Sequence, residues 1–239
     1  MALDRDAAFG RVDANRREGI DEGLRAYMLG VYNYMAAGLA VSGIIAYFVS
    51  SSPAILTTIY TNTALTWMVM LAPLAFILAI SFGIRKMKAS TVQALYWAFA
   101  VTMGISLSSI FVVYTSASIA RVFFITAATF GAMSLYGYTT KKDLTGWGSF
   151  LFMGLIGIII ASVVNFFMAS ALLDFAISVI GVLVFVGLTA YDTQKIRNEY
   201  SEFDSGEVAT KKSVYGALRL YLDFINLMMM LLRLFGNRR

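Results

Sequence analysis

The sequence predicts an all-α integral membrane protein, a bundle of seven transmembrane helices with the last helix at its centre. Of its 239 residues, 59% are hydrophobic and only 14% are charged, whereas a soluble domain carries about 25% charged residues. Long apolar runs recur along the chain, and the last run carries polar side chains at helical spacing. Such side chains are costly in contact with lipid, so we expect the last helix inside the bundle.

Seven apolar runs come close to the length that crosses a bilayer, which is about 20 residues. Backbone in lipid must satisfy its own hydrogen bonds, and continuous runs favour helices over the short alternating strands of a barrel. Pro73 lies within the second run and is expected to kink that helix. The predicted spans are residues 27–49, 64–84, 92–114, 119–138, 150–170, 175–191 and 214–235.

The domain organisation follows from polarity and charge. Residues 1–24 are too polar for a signal peptide and are predicted to form a cytoplasmic tail, while residues 25–239 form a single seven-helix transmembrane domain with short connections. The connections after the first, third and fifth spans hold no Lys or Arg. The other three carry Arg85, Lys86, Lys88, Lys141, Lys142, Lys195, Arg197, Lys211 and Lys212. This alternation predicts a cytoplasmic N-terminus.

Two topologies remain open for the C-terminus. Seven spans place it outside the cytoplasm. A re-entrant last segment would leave six spans and place it inside, which the terminal pair Arg238 and Arg239 favours.

Small residues recur four apart in two of the predicted spans. One pair is Gly104 and Ser108, and the other is Ala127 and Gly131. This spacing lets neighbouring helices approach closely, so packing is the expected role of both pairs.

The chain contains no cysteine and no histidine. Disulfides, thiol catalysis and thiolate metal sites are therefore excluded, and so is the usual physiological proton switch. Proton chemistry must fall to carboxylates, tyrosines or lysines. No cofactor is expected, and the cations flank apolar spans, which predicts contact with lipid headgroups and no nucleic-acid partner.

The last span carries one polar stripe. Residues three and four apart share a helix face, and an Asp or Arg at the bilayer centre costs at least about 2.5–3.5 kcal/mol. The stripe must therefore face protein or a water-filled cavity. One interpretation is that Arg219 and Asp223 simply neutralise each other one turn apart. The stripe consists of Lys212, Gly216, Arg219, Asp223, Asn226, Met230 and Arg233.

A second carboxylate, Asp192, stands at the cytosolic end of the sixth span. Helix arithmetic places Asp223 about 15 Å into the last helix and Asp192 up to about 10 Å shallower. The two meet only if the sixth helix is shifted inward or a cavity connects them. If they meet, the pair would hold one proton over a range of pH and sense pH without histidine.

The same pair, once ionised, offers the oxygen ligands that Ca²⁺ prefers. Two carboxylates and the amide of Asn226 fall short of the usual six to eight ligands, so binding by Asp192 and Asp223 should be weak. Weak binding suits conduction, because an ion must leave as well as enter. Asp174, near the outer start of the sixth span, is a possible second acidic point or an interfacial helix cap.

Four motifs in order, "SLYGYTTKKDL", "MGLIGIIIASVVNFF", "GLTAYDTQKI" and "GALRLYLDFINL", resemble the Bax inhibitor-1 family, bacterial branch, from about Phe123 onward. The resemblance implies a seven-helix fold with a central last helix, in a bacterial inner membrane. It implies that Asp192 and Asp223 form a pH sensor that gates a slow calcium leak, with acid favouring conduction. It also implies a membrane-bound ATP-dependent protease as a partner. The family's outer latch, a Glu–Arg pair in the early helices, has no counterpart in the first two spans here.

Three functions therefore stand side by side. The first is a pH-sensitive calcium or cation leak channel, and the second is a regulator that binds a membrane protease through residues 1–24 or the acidic loop. The third is an aspartyl intramembrane protease, which the Tyr191–Asp192 dipeptide suggests. Such an enzyme expects glycines before its second Asp, where this chain has Leu220 and Leu222, so we do not expect an enzyme.

Overall fold

The structure is a computed structural model that describes the backbone of residues 2–239 and the side chains from Asp21 onward. The predicted all-helical membrane fold is confirmed. The spans predicted from the sequence correspond to α1 and to α3–α8, while the short α2 was not predicted. The helices are α1 (Ala2–Ser51), α2 (Pro53–Thr61), α3 (Thr63–Gly83), α4 (Ala89–Val113), α5 (Ser116–Thr139), α6 (Thr145–Met168), α7 (Ala171–Asn198) and α8 (Gly206–Phe235).

The predicted tail, residues 1–24, falls mostly outside the part of the chain whose side chains are described. The backbone of residues 2–24 belongs to α1, and Leu24 packs against the hydrophobic core. Whether the remainder acts as a cytoplasmic tail stays a prediction.

Local sequence signals explain where several helices begin. The side chains of Asn62, Thr115, Ser170 and Ser205 accept hydrogen bonds from the first turns of α3, α5, α7 and α8. Short polar side chains at this position satisfy backbone amides that have no partner within the helix. The short α2 begins at Pro53, where the missing backbone amide costs nothing.

Among the residues whose side chains are described, six helices are long and apolar enough to cross a membrane, namely α3 to α7 and the part of α1 from Asp21 to Ser51. The last helix, α8, is not among these six, although it has 30 residues. Seven membrane crossings therefore stay a prediction, while the geometry of α8 within the bundle is defined.

The connections gather at two ends of the bundle. Lys211 donates to the carbonyl of Met87 between α3 and α4, and Gln194 on α7 donates to the carbonyl of Lys142 between α5 and α6. We call this the basic end. At the opposite end, the backbone of Arg238 forms an isolated antiparallel β-bridge with Tyr114, which follows α4. We call this the C-terminal end.

The last helix runs alongside α4 from one end of the bundle to the other. Glu207, in its first turn, accepts a hydrogen bond from the amide of Ala89 at the start of α4. After its last turn, the carbonyl of Asn237 accepts a hydrogen bond from the amide of Thr115. α8 therefore reaches from the basic end to the C-terminal end of the bundle, whereas a re-entrant segment would return to the basic end.

The predicted central position of the last helix is confirmed. α8 packs against α1, α4, α5 and α7, and its side chains form much of the core. Large hydrophobic side chains on α3 and α6, such as Phe82 and Phe166, are instead exposed, as expected of surfaces that face lipid. The fully buried side chains of α8 include Leu218, Leu220, Tyr221, Leu227 and Leu232.

Of the glycines in the two small-residue pairs, Gly104 on α4 lies at a close helix contact and Gly131 on α5 does not. A Cβ added to Gly104 would lie 2.7 Å from the carbonyl oxygen of Ser42 and 2.8 Å from the Cβ of Ile45, both on α1. A Cβ added to Gly131 would meet nothing within 4 Å. The prediction of a close approach is therefore right for Gly104 and wrong for Gly131.

This contrast predicts opposite effects of the same substitution. Gly104→Ala forces α1 and α4 apart and should destabilise the fold by about 1–3 kcal/mol. Gly131→Ala removes backbone freedom at an open position and should be neutral or stabilising by up to about 1 kcal/mol. Thermal unfolding of both variants in one detergent measures the difference. Equal midpoints would contradict the packing described for Gly104.

Candidate functional site: a buried carboxyl pair beside a polar cavity

The polar stripe of α8 lies against α7 along its whole length. The contacts run in antiparallel order, so the partner of each stripe residue on α7 gives its depth in the bundle, measured from the basic end. From the basic end they are Lys212 with Asp204 and the carbonyl of Glu199, Gly216 with Ile196, Arg219 with Asp192, Met230 with Gly181, and Arg233 with Asp174. The stripe is thus shielded from lipid mainly by α7 and the loop that follows it.

Asp192 and Asp223 meet at this seam. Both line the same cavity and their carboxyl groups interact with each other, and both residues are buried, with 7% and 5% exposure. Arg219 marks the level of Asp192, so Asp223 is four residues, or about 6 Å, deeper along α8. The helices are antiparallel and side chains lean toward the N-terminus of their own helix. Each carboxyl group therefore leans toward the other and closes this offset.

A cavity of about 600 Å³ lies beside the pair, between α6, α7 and α8. It extends from Asn226, deep in the bundle, to Lys195 and Glu199 near the basic end. Lys195 is exposed there, and so is Ser149 on the α6 wall. The cavity thus connects the carboxyl pair with the surface at the basic end. Its lining comprises Gly148, Ser149, Phe152, Leu155, Phe185, Leu188, Tyr191, Asp192, Lys195, Glu199, Tyr215, Arg219, Leu222, Asp223 and Asn226.

The position of Arg219 one turn before Asp223 suggested an ion pair between these two residues. The structure shows other partners for Arg219. Its guanidinium donates to Oδ1 of Asp192 across the seam, and it lies 3.8 Å from the carboxylate of Glu199. Spacing along one helix could not reveal these partners, because both belong to α7 and its C-terminal cap.

Glu199 is a site residue that sequence reasoning missed. It follows Asp192 by seven residues and Lys195 by four, a spacing that places all three on one face of α7. That spacing was a usable signal. The signal is weak because Glu199 lies in a polar segment, where charged residues are common whether or not they have a functional role.

One oxygen of the carboxyl pair has no hydrogen-bond donor among the described residues. Oδ2 of Asp223 is buried and has no partner among the described residues. Ionised carboxylates only accept hydrogen bonds, so Asp192 and Asp223 can bond to each other only when one of them carries a proton. A single shared proton would satisfy this oxygen.

Two other stripe residues make local contacts. The amide of Asn226 donates to the carbonyl of Leu222 on its own helix, so it lines the cavity without bonding to the carboxyl pair. Arg233 lies 3.5 Å from Asp174. The cap of α7 is Ser170 and not Asp174, so the cap interpretation of Asp174 is wrong.

The pairing of Arg233 with Asp174 lies at the C-terminal end of the bundle, between α7 and α8. The early helices, where the family resemblance implied an outer latch, do not take part. Between this ion pair and the cavity, Met230 packs into the space left by Gly181, where an added Cβ would lie 2.8 Å from the sulfur. The seam is therefore filled with side chains beyond Asn226.

The described residues contain no cluster of three or more acidic, His or Cys side chains that could hold a metal ion. Asp192 and Asp223 supply only two carboxylates, and Arg219 already contacts one of them. A calcium ion would have to compete with this guanidinium, which fits weak binding.

Comparison with known proteins identifies the family. A family model described as "Inhibitor of apoptosis-promoting Bax1" matches residues 24–239. The inner membrane protein YbhL of Escherichia coli strain K12 is 49% identical over 219 residues, which cover 91% of this chain and 94% of that protein. A Rickettsia prowazekii protein is 49% identical over 225 residues, covering 94% and 95%, and a Caulobacter vibrioides protein is 47% identical over 239, covering 95% of each. The chain therefore belongs to the Bax inhibitor-1 family of integral membrane proteins.

Proposed function

We propose that the protein is a proton-gated cation leak channel in the bacterial inner membrane, with calcium as a permeant ion and the N-terminus and basic end in the cytoplasm. One observation carries the proposal. Asp192 and Asp223 share a buried site beside a polar cavity, and Arg219 contacts one of them from within that cavity. An arrangement of one mobile cation and two carboxylates can be switched by a single proton.

The structure corresponds to a closed state in this proposal. The guanidinium of Arg219 lies where an entering cation would contact Asp192, so it acts as a tethered competitor for that site. A permeating ion reaches the carboxyl pair only after the guanidinium has moved. Glu199 offers the nearest alternative anion, on the basic-end side of the cavity.

Acid favours the open state by removing the charge that holds Arg219. A proton on Asp192 removes the negative charge that attracts the guanidinium of Arg219, while the carboxylate of Glu199 still attracts it. Arg219 then shifts toward Glu199 and uncovers the carboxyl pair. At high pH both carboxylates are ionised or share one proton, and Arg219 stays against Asp192, so the leak closes.

The rest of the path follows the seam between α7 and α8. Met230, packed against Gly181, forms the seal between the cavity and the C-terminal end. The Arg233–Asp174 ion pair lies beyond it. Opening therefore requires a small separation of α7 and α8 at this level in addition to the release of Arg219.

The protease alternative is less compatible with this site. An aspartic dyad works with a water molecule held between two carboxyl groups, whereas Arg219 contacts Asp192 here. Leu222 lines the cavity beside Asp223 and hinders the approach of a substrate backbone. Incubation of the purified protein with a transmembrane substrate at pH 5–8 tests this, and cleavage abolished by Asp223→Asn would favour the enzyme.

A membrane-bound ATP-dependent protease remains a proposed partner. The contacts would involve residues 1–24, most of whose side chains lie outside the described part of the chain. Deletion of residues 2–20 should abolish copurification from native membranes if this segment carries the association.

The first prediction from the channel proposal concerns the pH dependence of calcium flux into liposomes. Flux through the unaltered protein should rise as the pH falls from 8 to 6. Asp192→Asn imitates the protonated carboxyl and should raise flux at pH 8 roughly tenfold, the effect of about 1.4 kcal/mol on the gating equilibrium. Asp223→Asn should flatten the pH response. Asp21→Asn, an exposed carboxylate on α1, is the control. The proposal is contradicted if no calcium flux is observed, or if neither Asp192→Asn nor Asp223→Asn changes the flux.

The second prediction concerns Arg219. Arg219→Gln removes the tethered cation, so flux at pH 8 should approach the acid level, and lowering the pH should add little. Arg85→Gln, an exposed arginine at the basic end, should leave the pH profile unchanged. A fall in flux in Arg219→Gln, with the protein folded, would mean that the guanidinium assists permeation.

The third prediction concerns the seal. Met230→Ala empties the space against Gly181 and should raise the basal flux without shifting the midpoint of the pH response. Met228→Ala is a matched control, since Met228 is equally buried on α8 but lines a different cavity. If both variants raise flux equally, the path does not follow the α7–α8 seam.

A further inference from the structure

A second cavity, of about 590 Å³, lies on the other side of α7 from the polar stripe. α5 and α6 each pack against α7 and leave a groove between them, whose floor is one face of α7. The floor residues are Ile180, Leu183, Val184, Gly187, Ala190 and Tyr191. This groove, which we call the α7 groove, has no role in the proposed leak.

The α7 groove is apolar and has the length of a lipid chain segment. Ile180 and Tyr191 are eleven residues apart, which is about 16 Å along a helix. Leu183 on the floor and Phe150 on the α6 wall are 67% and 62% exposed. In a membrane, these side chains must contact hydrocarbon, because no described part of the chain covers them.

The mouth of the α7 groove carries both a cation and an anion. Lys142 and Asp143 lie in the connection between α5 and α6 and line the groove at the basic end. Among the described residues, the ammonium of Lys142 has no ion-pair partner. Trp147 and Tyr136 stand beside the mouth, and such aromatic side chains favour the level of lipid headgroups.

The connection that carries these charges is held in place from α7. The buried side chain of Gln194 accepts a hydrogen bond from the amide of Leu144, at 2.8 Å, and donates to the carbonyl of Lys142, at 2.8 Å. Arg197 donates to the carbonyl of Tyr138 just before the connection. Backbone contacts on both sides thus hold Lys142 and Asp143 over the mouth of the groove.

The carboxylate of Asp143 is stabilised by the residue that opens α6. The hydroxyl and the backbone amide of Thr145 both donate to Oδ1, at 2.6 Å and 2.9 Å. These bonds lower the pKa of the Asp143 carboxyl below its usual value. Oδ2 is left to face solvent at the membrane surface, where it can accept a hydrogen bond from a ligand.

We propose that the α7 groove binds a phospholipid whose headgroup carries a phosphate and a primary ammonium group. One acyl chain lies along Ile180, Leu183 and Val184, the phosphate contacts the ammonium of Lys142, and the lipid ammonium donates to Asp143. A choline headgroup has no N–H group to donate, and a glycerol headgroup has no cation for Asp143. Both lipids should therefore bind more weakly.

The experiment uses Trp147 as the reporter, because it lies in the wall of the groove and is 62% exposed. The full chain with Trp67→Phe and Trp97→Phe is reconstituted in vesicles of mixed lipids, and quenching by lipids with brominated chains is measured. Brominated phosphatidylethanolamine in phosphatidylcholine should quench Trp147 more than the reverse mixture. We expect a selectivity of roughly two- to fivefold, the ratio that one exposed ion pair supports.

Three comparisons make the test decisive. A single-tryptophan chain that retains Trp67, which is 55% exposed on α3, should show no lipid selectivity. Asp143→Asn keeps the hydrogen-bond acceptor for Thr145 and should abolish the preference for phosphatidylethanolamine over phosphatidylcholine. Lys142→Ala should weaken the binding of all phospholipids. Equal selectivity at Trp67 and Trp147, or a preference for phosphatidylglycerol that survives in Asp143→Asn, would overturn the proposal.

Discussion

The cost of an ionised side chain in an apolar medium governs the architecture of this protein. Arg219 and Asp223 lie in the middle of a 30-residue helix, and neither could face lipid without a penalty of several kcal/mol. Four other helices, α1, α4, α5 and α7, therefore pack around α8. Asp192 supplies the countercharge for Arg219 across the seam with α7. Once this pair is formed, the register of α7 against α8 is set, and Asp204, Ile196, Gly181 and Asp174 reach their partners at successive levels.

The antiparallel arrangement of α7 and α8 creates the carboxyl pair. Side chains lean toward the N-terminus of their own helix, so Asp192 leans deeper into the bundle and Asp223 leans toward the basic end. Two parallel helices would carry these side chains in the same direction and keep the offset of about 6 Å between them. The pair leaves one buried oxygen of Asp223 without a donor, and a proton is the smallest ligand that can satisfy it.

α7 separates two environments with different chemistry. One face carries Asp192, Lys195 and Glu199 toward a polar cavity, and the other carries an apolar floor toward the α7 groove. Tyr191 lines both cavities. A lipid in the groove would therefore lie one residue away from the carboxyl that holds Arg219, which would place membrane composition and proton binding on the same helix.

Much of the fold could be predicted from the sequence, since long apolar runs and the stripe on the last span reflect local rules of burial and helical period. These rules predicted the helices, the central position of α8 and the candidates Asp192, Asp223, Arg233 and Asp174. They could not predict the partner of Arg219, the contribution of Glu199 or the short α2. The sequence by itself determined which residues must avoid lipid. Only the tertiary structure decided which of them meet, because contacts between antiparallel helices depend on their register and tilt, and residue spacing along one helix carries no information about either.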